Sequence, residues 1–113
     1  MGLKLVYFSY PYSDNPRART EEIKTFVQLV LAKHGNIVPV IPHLMFDAIY
    51  NFPEGYSHPE FSVMEFEVIS RCDCLAYDPN EVSSGVRWEV AFAKWLGKPV
   101  LTFKELMENG FEG

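Results

Sequence analysis

The run SSGVRWE combines residue types that can do chemistry: Ser83, Ser84 and Gly85, then the carboxylate of Glu89. Hydroxyls and a glycine at a helix start leave backbone N–H groups free, and with the helix dipole they favour an anion or a sugar hydroxyl. Glu89 lies one turn further in. Facing a cleft, it is a competent nucleophile toward a carbon with oxocarbenium character. Facing water, it is an ordinary first-turn acid complementing the dipole. A second unusual stretch is SYPYSDNP, in which Ser9, Tyr10 and Pro11 are candidates for substrate contact. Tyr10 and Tyr12 either stack on a planar ligand or pack on their own loop. His43 either touches the ligand or satisfies a loop hydrogen bond. The histidines His34, His43 and His58 show no ligand spacing with Cys72 and Cys74, so no metal site is expected.

The elements that must position these residues follow from patterning. Leu3 to Phe8 is an apolar, β-rich run ending in a loop, a first strand. Asn15 and Pro16 start a helix whose stripe is Ile23, Phe26, Val27, Val30 and Leu31. Gly35 ends it, and Asn36 to Ile41 reads as a second strand, put at a sheet edge by Pro39. Pro42 to Pro59 reads as a long loop with one helical turn around Leu44 to Tyr50. Pro59 to Ser70 offers a helix with Phe61, Met64, Val68 and Ile69 inward and Glu65 and Glu67 off the stripe. Asp73 to Tyr77 is a third strand, Ser83 or Ser84 caps a helix to Leu96, Lys98 to Phe103 is a fourth strand, and Lys104 to Asn109 closes with a short helix.

Strands alternating with helices predict one α/β domain over residues 1–113: a small doubly wound, flavodoxin- or Rossmann-like three-layer sandwich. Its parallel sheet has four to five strands in order 2-1-3-4. Ligands in such sheets bind beyond the strand carboxyl ends where the order reverses. Here that is between the loops Ser9 to Pro16 and Asp78 to Ser84, the same two unusual stretches.

With 15 acidic and 10 basic residues, net −5, and no basic patch, the chain is not expected to bind polymeric nucleic acid. No apolar run approaches the roughly 20 residues of a bilayer span, and Met1 to Phe8 lacks a signal-peptide cleavage region. Cys72 and Cys74 stand too close to bridge without strain and read as buried thiols of a reducing cytoplasm. A flavin carrier would want a phosphate loop richer in Ser, Thr and Gly than SYPYSD, and no cofactor is expected. A phosphoacceptor domain would use Asp78 with acids after the first strand, where Ser9 and Tyr10 stand instead. Trp88, Phe92 and Trp95 form a second apolar stripe on the Glu89 helix, to be covered by a second subunit or by the 42–59 loop.

SSGVRWEVAFAKWLGKPVLTF resembles the S-x-G-x-x-x-E-x-x-x-A-x-x-x-G-K-P stretch of the nucleoside 2-deoxyribosyltransferase-like superfamily. VYFSYPY, IPHLMFD and EFEVISRCD resemble its first-strand motif, the I-A-P-H-L segment of some branches, and the acidic helix before its third strand. The resemblance implies that Glu89 is the nucleophile at C1′ of a nucleoside or its 5′-monophosphate, with hydrolysis or base transfer as the outcome. It implies that Tyr7 orients Glu89, and that Glu65, where relatives carry an aspartate, protonates or positions the base. Ser83 and Gly85 match the sugar or phosphate pocket, and Asp73 a structural turn residue. Relatives carry a glycine-rich phosphate loop with an arginine where this chain has Tyr10 to Ser13, leaving Arg17 and Arg19 to substitute or to be solvated. Relatives also assemble as dimers or higher and lend a C-terminal group to the neighbouring site; with the sequence ending at Gly113, that group is not expected here. The alternative is a nucleotide-binding module of the same fold without turnover.

Overall fold

The structure, a computed structural model, describes residues 2–12, 14–50 and 59–113. Along the chain run β1 (Lys4–Ser9), α1 (Pro16–Lys33), β2 (Ile37–Val40), α2 (Pro42–Tyr50), α3 (Pro59–Arg71), β3 (Cys74–Tyr77), α4 (Ser84–Trp95), β4 (Val100–Thr102) and α5 (Phe103–Asn109). The strands form one parallel sheet in the order β2-β1-β3-β4, the doubly wound α/β arrangement that alternating patterning predicts.

β1 is the axis of the sheet. Its residues Val6 to Ser9 are at most 1% exposed, which is why KLVYFS is apolar on both faces. Period-two alternation sends Val6 and Phe8 to the α1 and α5 side, with Ile23, Val27, Val30 and Leu106. Tyr7 goes to the α3 and α4 side, with Ile69, Cys72, Leu75 and Ala93. Asp73 fixes the relative position of β1 and β3: its Oδ2 accepts from Leu5 N at 2.8 Å, and its own N donates to Leu5 O at 2.8 Å. These two bonds tie β1 to the start of β3. Asn15 caps α1, its side chain accepting from Ala18 N at 3.4 Å, with Pro16 in the first turn. Pro39 sits on the edge strand β2, opposite Val6, where a missing N–H is tolerated.

Several expectations change. The stretch from Pro42 is a nine-residue helix to Tyr50 rather than a loop with one turn, because Phe46 finds a buried place on its inner face and no glycine interrupts it. Residues 51–58 of that stretch lie outside the described residues. On α3 the inward residues are Glu65 and Ile69, followed by Cys72 just past its end, while Met64 is 47% exposed. An apolar-only reading rotated this helix, since it treated a carboxylate as an outward residue. Leu31 lies at the exposed margin of the α1 stripe. β4 is shorter than expected because Thr102 caps α5, sharing a reciprocal capping box with Glu105.

The three-residue aromatic stripe on α4 also divides. Phe92 stacks on Phe66 of α3 at 4.7 Å and is half-buried within its own chain, whereas Trp88 and Trp95 are exposed. Cys72 and Cys74 are free and buried, and burial pushes their thiols up to about 11 and about 12, too high for ready reactivity. Among the described residues no helix is long and apolar enough to cross a membrane.

Candidate active site

Tyr7 and Ser9 are two apart on β1, so both face the layer containing α4 at the carboxyl end of the central strand. Val86, Glu89 and Ala93 form the buried face of α4, spaced three and four apart. The two elements meet at Glu89. Its Oε2 accepts from Tyr7 OH at 2.7 Å and its Oε1 from Ser9 Oγ at 2.5 Å. With 7% of its surface exposed, Glu89 is not the solvated first-turn acid of the alternative reading. Ser9, expected to touch substrate, donates its hydroxyl to Glu89.

Removal from water dominates the electrostatics. Burial, followed by the charge of Glu65, pushes the Glu89 carboxyl up to about 7 against the lowering effects of Ser9, Tyr7 and His43. Burial and the neighbouring Glu89 charge raise the Tyr7 hydroxyl well above the ordinary tyrosine value, so Tyr7 remains a donor. Glu89 therefore changes charge near neutrality while its two donors stay in place.

Glu65, 6% exposed, comes from α3 into the same space. Its Oε2 lies 2.9 Å from His43 Nε2 of α2, a hydrogen-bonding distance that becomes an ion pair when the imidazole is protonated. Burial alone would lower the His43 imidazole, but Glu65 and then Glu89 raise it above its ordinary value. Tyr12 stacks on His43 at 4.6 Å and 12°, and Tyr10 meets the same ring edge-on at 5.9 Å. Burial and then Asp47 raise the Tyr12 hydroxyl; neither Asp47 nor Thr20, which acts in the opposite sense, is aligned with it as a hydrogen-bond partner. The structure thus gathers Tyr7, Ser9, Tyr10, His43, Glu65 and Glu89, and adds Tyr12.

The remaining expected residues fall elsewhere. Ser83 is the N-cap of α4, its Oγ accepting from Val86 N at 3.2 Å. Ser84 and Gly85 are exposed, and a Cβ at Gly85 would meet nothing nearer than Ser83 Oγ at 3.8 Å. Pro11 is buried beside a small pocket of about 190 Å³, lined also by Tyr10, Arg19 and Glu81, across the sheet from Glu89. Arg19 is neither solvated nor free for phosphate: it pairs with Asp14 at 2.9 Å and reaches Glu81 at 3.2 Å, tying the two switch-point loops together. Arg17 is exposed. Sequence reasoning missed this tie and the Asp47 contact; the signal for the former was a basic residue placed between two acid-bearing loops. A groove of about 590 Å³ runs along Pro39, Val40, Ile41, Leu44 and Met45. It is almost wholly apolar and holds none of the candidate residues, whereas perturbed carboxylates and convergent hydroxyls mark the Glu89 cluster.

Residues 4–103 match the model of a family described as Domain of unknown function (DUF7768). No curated protein matches the chain. Among solved structures, a conserved protein from Enterococcus faecalis V583 is similar, with a TM-score of 0.70 and 20% identity over 89% of this chain. This chain spans 63% of the length of that one, and the likeness is one of fold.

The raised Glu89 value has a consequence for stability. Below the ordinary value of 4.5 both folded and unfolded states hold the proton. As pH rises, the unfolded chain ionises first, so this group's contribution falls until about 7 and is flat beyond. Glu89→Gln keeps the shape and cannot ionise. Urea unfolding should find it more stable than the parent above neutrality by an amount on the order of 3 kcal/mol, with the gap closing toward pH 4.5. A gap that does not change with pH would contradict the raised value.

Proposed function

We propose that this chain, which belongs to the DUF7768 family, cleaves or transfers the N-glycosidic bond of a nucleoside or nucleoside 5′-monophosphate, with Glu89 as the nucleophile. The observation that carries this reading is a buried carboxylate at the sheet's reversal point, each oxygen held by a hydroxyl from the end of β1. The resemblance of SSGVRWEVAFAKWLGKP to the deoxyribosyltransferase-like motif adds to it.

In this reaction the ionised Glu89 attacks C1′. The C1′–N bond breaks, its electron pair goes to the base, and the base takes up a proton from the Glu65 and His43 pair. The product of this half-reaction is a glycosyl ester of Glu89. Water or a second base then attacks C1′, the ester bond breaks, and the carboxylate is restored, with the proton of the attacking group returned to Glu65 and His43. Two displacements at one carbon retain its configuration. Tyr7 and Ser9 fix the carboxylate's direction without competing for its charge, because both donate and neither is ionised near neutrality. A binding module without turnover is the second reading, favoured by the fact that both Glu89 oxygens already accept hydrogen bonds. We also propose that Trp88 and Trp95, 68% and 80% exposed on α4, pack against a second copy of the chain.

Incubation with ribo- and deoxynucleosides and their 5′-monophosphates, followed by chromatography, should release free base from at least one of them. Glu89→Gln should lower the rate by roughly a thousandfold or more. Because attack needs the ionised Glu89 and base departure needs the proton of the Glu65 and His43 pair, kcat/KM should climb with pH to about 7 and fall again where that pair loses its proton. No base from any compound, or equal release by the variant, removes the enzymatic reading. For the assembly, Trp95→Glu should sediment as a monomer where the parent is a dimer; equal masses for the two would remove the proposed interface.

A further inference from the structure

On the flank of α4 turned away from Phe92 and α3, a pocket of about 330 Å³ opens beside the carboxyl end of β3. Its lining is mostly apolar, from Val90 and Ala91 of α4, Pro79 and Val82 of the loop leading into that helix, and the partly buried Tyr77. The charged residues that line it are both cations, Arg87 and Lys94. Seven residues apart, they stand two turns along one face with about 10 Å between their backbones. Ala91 lies between them, four after the first and three before the second, and its small side chain leaves room between the two charged heads.

Among the described residues neither cation has a carboxylate at ion-pair distance, whereas Arg19, Lys24 and Arg71 each have one. The loop before α4 sorts its side chains between two pockets. Asp78 and Glu81 line the pocket at Arg19, where Glu81 pairs with the guanidinium at 3.2 Å, while Pro79 and Val82 line this one. The recess is thus positive and apolar-walled within a chain of net charge −5. It is also separate from the Glu89 cluster: Glu89 lies on the buried face of α4 with Val86 and Ala93, and Tyr7, Ser9, His43 and Glu65 take no part in the lining.

We infer that this recess is a second binding site, one for a small phosphomonoester that carries an apolar or planar body. Such a group holds nearly two negative charges at neutrality, which Arg87 and Lys94 together answer. The Arg87 fork suits two phosphate oxygens, and Lys94 adds a point charge. The body then lies against Val90, Pro79 and the Tyr77 ring. The volume of about 330 Å³ is at the small end of the roughly 300–1,000 Å³ of small-molecule sites, which favours a compact ligand. Nothing in the N-glycosidic reading is needed for this site, which stands whether or not Glu89 reacts.

Phenyl phosphate is a suitable probe. Titrated into nitrogen-15-labelled protein at constant ionic strength, it should shift the amide resonances of Val82, Arg87, Ala91 and Lys94 along a saturable curve. Benzyl alcohol, which lacks the charge, should give no such curve. Benzoate, with a single charge, and inorganic phosphate, with no body, should each bind at least about threefold more weakly. Arg87 and Lys94 are exposed, so replacing either leaves the core intact; Arg87→Ala and Lys94→Ala should each weaken phenyl phosphate by about three- to tenfold, and Glu89→Gln should leave it unchanged. Shifts that never saturate, saturation centred on the Glu89 cluster instead, inorganic phosphate binding as well as phenyl phosphate, or indifference to both alanine replacements overturns the assignment.

Discussion

A carboxylate taken out of water and held by two hydroxyls governs the architecture around it. Glu89 keeps little contact with solvent, and the cost of burying its charge is offset only in part by Tyr7 and Ser9. Both donors come from one strand, so their spacing is set by the pleat of β1, and β1 is set in turn by its neighbours on either side. The Asp73 contacts to Leu5 hold β3 against β1, and α4 rides on β3 with Ala93 fully buried beneath it. A shift of one residue in the register of β1 would turn Tyr7 and Ser9 to the opposite layer and leave Glu89 without donors.

The second carboxylate gives this arrangement its tension. Glu65 and Glu89 repel, and the charge of Glu65 raises the cost of ionising Glu89. His43 relieves this by bringing a basic ring against Glu65, while Tyr12 covers the ring's face and Tyr10 its edge. An apolar side chain at Glu65 would pack the α3 layer more cheaply, so its presence there is best understood through the site and not through stability. The same holds for the unpaired hydroxyl of Tyr10.

The strand order, the helices α1 and α4 and the reversal point were legible because each rests on strong local signals: apolar runs, caps at Asn15 and Ser83, and regular spacing. Glu89 was legible as a candidate from its place after SSG, yet its inward direction was not, since helix periodicity alone fits either face of the cleft. Glu65 shows the limit most clearly. Judged by hydropathy it belongs outside, and only the approach of His43 from a separate helix accounts for its burial. α2 was hidden by its flanking prolines and aromatic residues, which read as a loop until a core position for Phe46 is known. Ser83, Ser84 and Gly85 looked like ligand contacts because a helix start serves capping and anion binding with the same residues; in this fold Ser83 caps.

The account stands on the charge state of one side chain, and nuclear magnetic resonance reads that directly. In protein labelled with carbon-13 at the glutamate carboxyls, one resonance should titrate with a midpoint of about 7 and vanish in Glu89→Gln. A spectrum in which the Glu89 carboxyl titrates near the ordinary value of 4.5 would contradict a buried carboxylate held by Tyr7 and Ser9 and the chemistry built on it.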